Sequence, residues 1–334
     1  MIRRGSCWVS WAWKQWLDDP GYGTAQEAIR KLEGGGFCCL VICVAGWIPS
    51  HAVIQVTDPF RHIPMLLWGL CGWMENGHIV TTADQAGTTA LRPVFEEMGY
   101  RFSYVYSTMD QGHPEERIDS FIRAAYALQR LRQAKIGTMG YRDMLLYGTQ
   151  CEGTSLRHVL GIETEPFEML EMVQNAEKVS RADIETWKTY IDRNWCILNR
   201  DAGAEETVER GVRYALAIGR KVEERGYDAV TLLDVDGMKK LLGFPPAMVF
   251  MLLNRIYGVQ VIPENDILGS ATQLLMHFAT DQTVPYLEYY EFFKDCLLAG
   301  VPDFIPEPAA DGPVTMLPAA FGLLDSSLLN VSRV

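Results

Sequence analysis

The chain has 334 residues, 22% of them charged and 48% hydrophobic, with a formal net charge of −12. This composition is globular, too long for one ordinary core, and excludes a disordered chain. The acidic balance argues against nucleic acid and anionic membranes as partners, since both favour a basic face.

In chain order, the opening M-I-R-R-G-S-C-W-V-S-W-A-W-K-Q-W-L is interrupted by Lys14 and lacks a small-residue cleavage site, so no signal peptide is expected. T-A-Q-E-A-I-R-K-L-E reads as a helix, and F-C-C-L-V-I-C-V-A, which shows no alternation, as a strand buried on both faces. P-S-H-A-V-I-Q-V-T-D opens a helix with a capping Ser50. I-P-M-L-L-W-G-L is the next strand, Ala83 to Gly99 a helix ended by glycine, Y-R-F-S-Y-V-Y a short strand, and Glu115 to about Gln133 a helix. Alternation of this kind predicts a parallel sheet with helices on both faces, an α/β domain over residues 1–133.

A second α/β domain is expected over 134–280. Lys135 to Met139 is its first strand, followed by the turn G-Y-R-D-M. Helices are expected around 165–200 and from Ala204 to Arg225; the strand D-A-V-T-L-L then ends in D-V-D-G, and Y-G-V-Q-V-I ends in P-E-N-D. A helical period follows at Ile267, Ala271, Leu274, Leu275 and Phe278. Three polar loops thus leave carboxyl ends of strands, where open α/β sheets place their ligands. Beyond residue 280 the aromatic-rich Y-L-E-Y-Y-E-F-F and the proline-broken P-D-F-I-P-E-P predict the start of a β-rich third domain over 281–334.

The eight cysteines show no C-x-x-C pair and sit mostly in apolar segments, as free thiols do in a reducing compartment. The longest apolar run, Phe37 to Ile48, is too short to span a bilayer, and a cytoplasmic protein is expected.

Among polar candidates, Asn265 or Asp266 suits a helix cap, which leaves Glu264 unexplained at a strand end. Glu288 lies beyond one helix and a loop, so the spacing permits the two carboxylates to meet without requiring it. As a bare pattern, Glu288 is also what a surface acid on a half-buried strand looks like. Asp234 and Asp236 resemble the paired acids of phosphoryl-transfer enzymes, although no P-loop or G-x-G-x-x-G accompanies them. Trp47 sits at a strand-to-helix turn, where an indole could stack on a sugar or simply pack.

P-E-N-D followed by a helix, with an acid 24 residues after the Glu in an aromatic-rich segment, resembles the L-fucose isomerase family, whose architecture the L-arabinose isomerases share. The strand and turn K-I-G-T-M-G-Y-R-D-M is similar to the family's G-G-R-S-M-type turn, with Tyr141 and Asp143 in place of Gly and Ser. The resemblance implies two Rossmann-like α/β domains before a β-rich domain, the first apparently short at its N-terminus. It implies a metal-dependent aldose–ketose isomerase acting on a free sugar through an enediol, with Glu264 and Glu288 binding Mn²⁺ and acting on the sugar. It places Gly140, Arg142 and Asp143 near the substrate and implies a homo-oligomer with shared active sites, to which the first domain of a neighbouring subunit, with Trp47, would contribute. Asp234 and Asp236 are pocket candidates from their place at a strand end. None of the six histidines follows Glu288, whereas the family supplies a histidine ligand from its C-terminal domain. A sugar-binding or regulatory relative without catalysis is the alternative.

Overall fold

A computed structural model describes residues 23–198, 200, 202–301, 304–321 and 324–330. The opening basic and aromatic stretch lies outside the described residues. The protein is α/β, about half helical, with mostly parallel sheets. It divides into two compact units, Met1–Gln129 and Arg130–Val334.

The first unit holds α1 (Gly23–Glu33), β1 (Leu40–Val44), α2 (Ser50–Thr57), β2 (Met65–Gly69), the hairpin β3 (Trp73–Glu75) and β4 (His78–Val80), α3 (Asp84–Glu97), β5 (Phe102–Tyr106) and most of α4 (Glu115–Leu131). Its parallel sheet has the order β1-β2-β5. Two expectations need correction here. Among the described residues β1 pairs only with β2 and stays half-exposed, because an edge strand lacks the neighbours that cover a central one. Ser50 is the first helical residue of α2, Pro49 holds the cap position, and no side chain caps the turn. The hairpin in C-G-W-M-E-N-G-H-I-V is an element that the periodicity does not reveal; its Asn76-Gly77 turn, both at positive φ, carries the signal.

The second unit contains β6 (Lys135–Met139), α5 (Gly153–Val159), β7 (Glu163–Phe167), α6 (Met169–Ala176), α7 (Arg181–Asn194), β8 (Trp195–Ile197), α8 (Ala202–Arg225), β9 (Ala229–Leu232), α9 (Ala247–Tyr257), β10 (Gln260–Ile262) and α10 (Ile267–Thr280). These are followed by β11 (Glu288–Phe292), β12 (Leu297–Gly300), β13 (Val314–Phe321) and β14 (Leu324–Asn330). Four strands form a parallel sheet in the order β10-β9-β6-β7. β7 (E-T-E-P-F) reads poorly as a strand because its proline cannot donate to a ladder; it is tolerated at the sheet's edge.

Strands β6, β9 and β10 of this sheet are buried on both faces. Met139, Val230, Leu232 and Val261 join the core built with α6, α7, α8 and α9. The alternate residues Ile136, Ala229 and Ile262 are equally buried and point the other way, where α10 packs on β6, β9 and β10. Of the predicted α10 stripe, Ala271, Leu274 and Phe278 are buried, whereas Leu275 is exposed at the margin of the face. Burying Leu274 and Phe278 contributes about 1.5–3 kcal/mol each, which holds the body of α10 against the sheet.

The β-rich end is made of antiparallel pairs, β11 with β12 and β13 with β14, and β13 also runs parallel to β8. No helix among the described residues is long and apolar enough to cross a membrane.

Candidate functional site

Because β6, β9 and β10 are parallel neighbours, Gly140, Asp234 and Glu264 leave the sheet on one edge. Gly140 has φ +89°, and a Cβ there would stand 2.8 Å from the Cβ of Leu233, so the turn requires glycine. The three loops that start at these residues are laced together by side chains bonded to backbone.

Asp143 is fully buried, and its carboxylate accepts from the backbone N–H of Val235 at 2.8 Å, of Asp236 at 2.8 Å and of its own neighbour Met144 at 3.0 Å. Asp236 answers in the opposite direction: Oδ2 accepts from Met144 N–H at 2.8 Å, and Oδ1 from Lys240 Nζ at 2.6 Å. The Lys240 ammonium beside it, followed by that N–H, holds the Asp236 carboxyl below the usual carboxylate range. Asp234 ties the second loop to the third, accepting from Glu264 N–H at 2.6 Å through Oδ1. Its Oδ2 lies 3.1 Å from Lys239 Nζ, with the two side chains 0% and 5% exposed. Asn265 closes the circuit, its amide donating to the Tyr141 carbonyl at 2.7 Å and its backbone N–H to the Leu232 carbonyl at 2.9 Å. Hydrogen bonds to charged groups contribute about 1.5–3 kcal/mol each, so this edge is rigidly specified.

Rigidity is needed, because the backbone here is strained. Glu264 and Asn265 have φ +63° and +50°, and Met144 and Leu145 have +45° and +57°. Non-glycine residues in the left-handed region cost about 1–3 kcal/mol each and gather at functional sites. Asparagine tolerates the conformation; Glu, Met and Leu do so far less readily.

The helix cap at P-E-N-D falls on Asp266, whose Oδ1 accepts from Gly269 N–H at 2.8 Å. Burial pushes the Asp266 carboxyl up, partly offset by that bond and by one from the Leu268 N–H. Glu264 is therefore not the cap. It stands half-buried at the turn that ends β10, next to the buried Asp234.

Glu288 is the half-buried first residue of β11 and pairs with Gly300. It bears on Tyr286, a half-buried phenol on the approach to that strand. Burial, and then the carboxylates of Glu264, Glu288, Asp266 and Asp234, push the Tyr286 hydroxyl well above its ordinary range. The phenol therefore keeps its proton in the field of those carboxylates. Such a group can donate to a sugar oxygen while a carboxylate moves a proton.

The remaining candidates lie apart in their roles. The Arg142 guanidinium is stacked 4.4 Å over the ring of Tyr147, which leaves its in-plane N–H donors directed to the sides. Asp143, Asp234 and Asp236 bind backbone N–H and ammonium groups of the protein itself. Trp47 belongs to the first unit, 58% exposed beyond the end of β1, with its backbone N–H on the Thr82 carbonyl at 2.9 Å. Lys239, Gln150 and Tyr286 escape sequence reasoning, and Asn265, expected as a candidate cap, instead ties its loop to that of Tyr141. Gln150 donates to the Asn265 carbonyl at 3.4 Å. Only the aromatic texture around Tyr286 carried any signal.

Carboxylate oxygens suit a hard cation such as Mn²⁺ in kind, but not in number. Among the described residues no three His, Cys, Asp or Glu side chains come together to hold a metal ion. Glu264 and Glu288 would supply two of the several oxygen ligands that such an ion takes.

No family model matches the chain. Two sulfoquinovose isomerases, from Priestia aryabhattai and Priestia megaterium, are each 18% identical to it over 265 residues, a stretch covering 78% of this chain and 57% of the relative. The chain therefore spans little more than half the length of these curated relatives. Its distant likeness is to enzymes that isomerise a sugar.

Proposed function

We propose that the protein is an aldose–ketose isomerase acting on a free sugar at the carboxyl edge of the β10-β9-β6-β7 sheet, related to the L-fucose isomerase family. The observation that carries this reading is Glu264: a half-buried carboxylate on a strained turn, outside the helix cap, at the edge where three strand-end loops converge. The likeness to sulfoquinovose isomerases supports the reaction class.

In this reading the Glu264 carboxylate takes the proton from one sugar carbon and returns it to the next, through an enediol. Glu288 is its partner at the site, and the protonated Tyr286 hydroxyl donates to the sugar oxygen on which charge grows. Arg142 offers planar N–H donors to sugar hydroxyls, and Trp47 of a neighbouring subunit would offer an aromatic face. Asp143, Asp234 and Asp236 serve the substrate by fixing the loops. A divalent cation, Mn²⁺ foremost, belongs to the proposal with Glu264 and Glu288 as its protein ligands; when bound it would stabilise charge on adjacent sugar oxygens. A cytoplasmic homo-oligomer with shared sites, two Rossmann-like units and a β-rich part over 281–334 complete the proposal.

The test is a screen of aldoses, sulfoquinovose included, for ketose formation with Mn²⁺ and after EDTA. Turnover that EDTA abolishes and Mn²⁺ restores is the expected result. Undiminished turnover in verified metal-free protein removes the cation from the proposal. Sugar binding without turnover supports instead the alternative, a non-catalytic or regulatory sugar-binding relative.

A further inference from the structure

Lys239 is nearly buried, although lysine is almost never found so unless it is paired. It ends a six-residue π-helical turn, Asp234–Lys239, that follows β9. The winding explains the pairing. At about 100° per residue an α-helix would put residue i+5 roughly 140° round from residue i, on another face. A π turn bonds i to i+5, as Met238 N–H does to the Leu233 carbonyl at 3.1 Å and Lys240 N–H to the Val235 carbonyl at 3.0 Å. The widened turn lets Lys239 reach back to Asp234, and Gly237, whose Cβ would meet Leu233 at 3.0 Å, allows the turn to close on the core.

The consequence lies on the other oxygen of Asp234. That oxygen receives the N–H of Glu264, at 2.6 Å, in a residue held at φ +63°. A buried carboxylate stays charged only with compensation, and a charged acceptor makes a hydrogen bond roughly twice as strong as a neutral one. Lys239 therefore acts on Glu264 at one remove, through Asp234.

We propose that Lys239 is a positioning residue: by pairing with the buried Asp234 carboxylate across the π turn, it keeps the Glu264 backbone in the left-handed conformation that presents the Glu264 side chain at the sheet edge. This deepens the isomerase reading, and only its kinetic consequence rests on that reading.

The test is amide hydrogen exchange on the full chain, comparing wild type with Lys239→Met. The Glu264 N–H is expected to exchange about tenfold faster or more in the variant, as its acceptor weakens, while β9 amides keep their protection. Unchanged protection at Glu264 in a folded Lys239→Met overturns the proposal. Where Lys239→Met does not fold, Asp234→Asn/Lys239→Met removes both charges at similar volume. That variant should fold with a faster-exchanging Glu264 N–H, and unchanged exchange overturns the proposal equally. With an aldose that the wild type converts, Lys239→Met should lose kcat by about tenfold with KM changed less than threefold, and Asp234→Asn/Lys239→Met should lose less than the two single variants multiplied together. A double variant whose loss equals that product overturns action through Asp234. A wild type inert toward every sugar sinks the proposed function and leaves the exchange result standing.

Discussion

The two parallel sheets of this protein meet the same problem, how to end strands in polar loops, with different chemistry. In the second unit the strand-end loops are joined by carboxylates on backbone N–H groups: Asp143 on Val235 and Asp236, Asp236 on Met144, Asp234 on Glu264. In the first unit the side chains that join one strand-end loop to another are neutral, while the buried Asp84 carboxylate accepts within its own loop, from Gln85 N–H at 2.7 Å and the Thr82 hydroxyl at 3.4 Å. Gln85 donates to the Ser107 carbonyl at 3.1 Å, Trp68 donates to the Ser107 hydroxyl at 3.0 Å, and that hydroxyl lies 2.8 Å from His113 Nδ1. The strain differs in amount: among the described residues the first unit's edge carries the left-handed Ala83 at φ +60°, and the second unit's edge carries two left-handed pairs. The left-handed pairs Met144–Leu145 and Glu264–Asn265 both fall on the charged edge.

The contrast is broken most severely at Asp143. Asp143→Ala leaves the Val235 and Asp236 N–H groups without their acceptor and should cost about 3–5 kcal/mol, roughly 10 °C in Tm, read by thermal or urea denaturation. A loss below about 1 kcal/mol would mean that the lacing is not what secures the edge.

Glu264→Gln separates chemistry from scaffold. The side chain is half-buried outside the cap, so stability should change by about 1 kcal/mol or less. In the proposed isomerase, kcat/KM should fall at least about a hundredfold, roughly 2.7 kcal/mol of transition-state stabilisation. Asp266→Asn, which keeps a capping oxygen, should remain active. Normal turnover by folded Glu264→Gln would end its assignment as proton carrier.

The neutral edge should yield less. Gln85→Ala removes bonds between neutral groups and should destabilise by about 1 kcal/mol, measured by the urea midpoint of the full chain. A loss equal to that of Asp143→Ala would erase the distinction between the two edges.

The smallest effect is a pH dependence at Glu152. This residue caps α5 and accepts from the Thr154 and Ser155 N–H groups at 2.9 and 2.7 Å. Those bonds hold its carboxyl down to about 2. A carboxyl lowered in the folded state stabilises above its unfolded value of about 4.3 and loses that contribution as pH falls toward 2. Wild type should therefore be slightly more stable than Glu152→Gln at pH 6, the two urea midpoints converging between pH 4 and 2. A constant offset across that range would refute the capping carboxylate as its source.

Much of the fold is legible along the chain. The helix Ile267–Thr280, the strand Lys135–Met139 and the helix expected from Ala204 to Arg225, observed over Ala202–Arg225, are legible in the sequence, because burying one face is a local requirement. The convergence of G-Y-R-D-M, D-V-D-G and P-E-N-D on one edge also follows, since parallel strands put all their carboxyl ends together. The β3–β4 hairpin and the proline-bearing β7 do not follow, as pairing partners decide whether such short segments become strands.

At the site, the sequence marks Glu264 as more than a cap but cannot say what Asp143, Asp234 and Asp236 bind. A carboxylate reads the same whether it awaits a substrate or a backbone N–H. Tertiary structure alone brings residue 143 to residues 235 and 236, and residue 234 to residue 264. Lys239 is the clearest case. Its partner lies five residues back, a spacing at which an α-helix faces away, and only the π turn imposed by packing at the end of β9 brings the pair together.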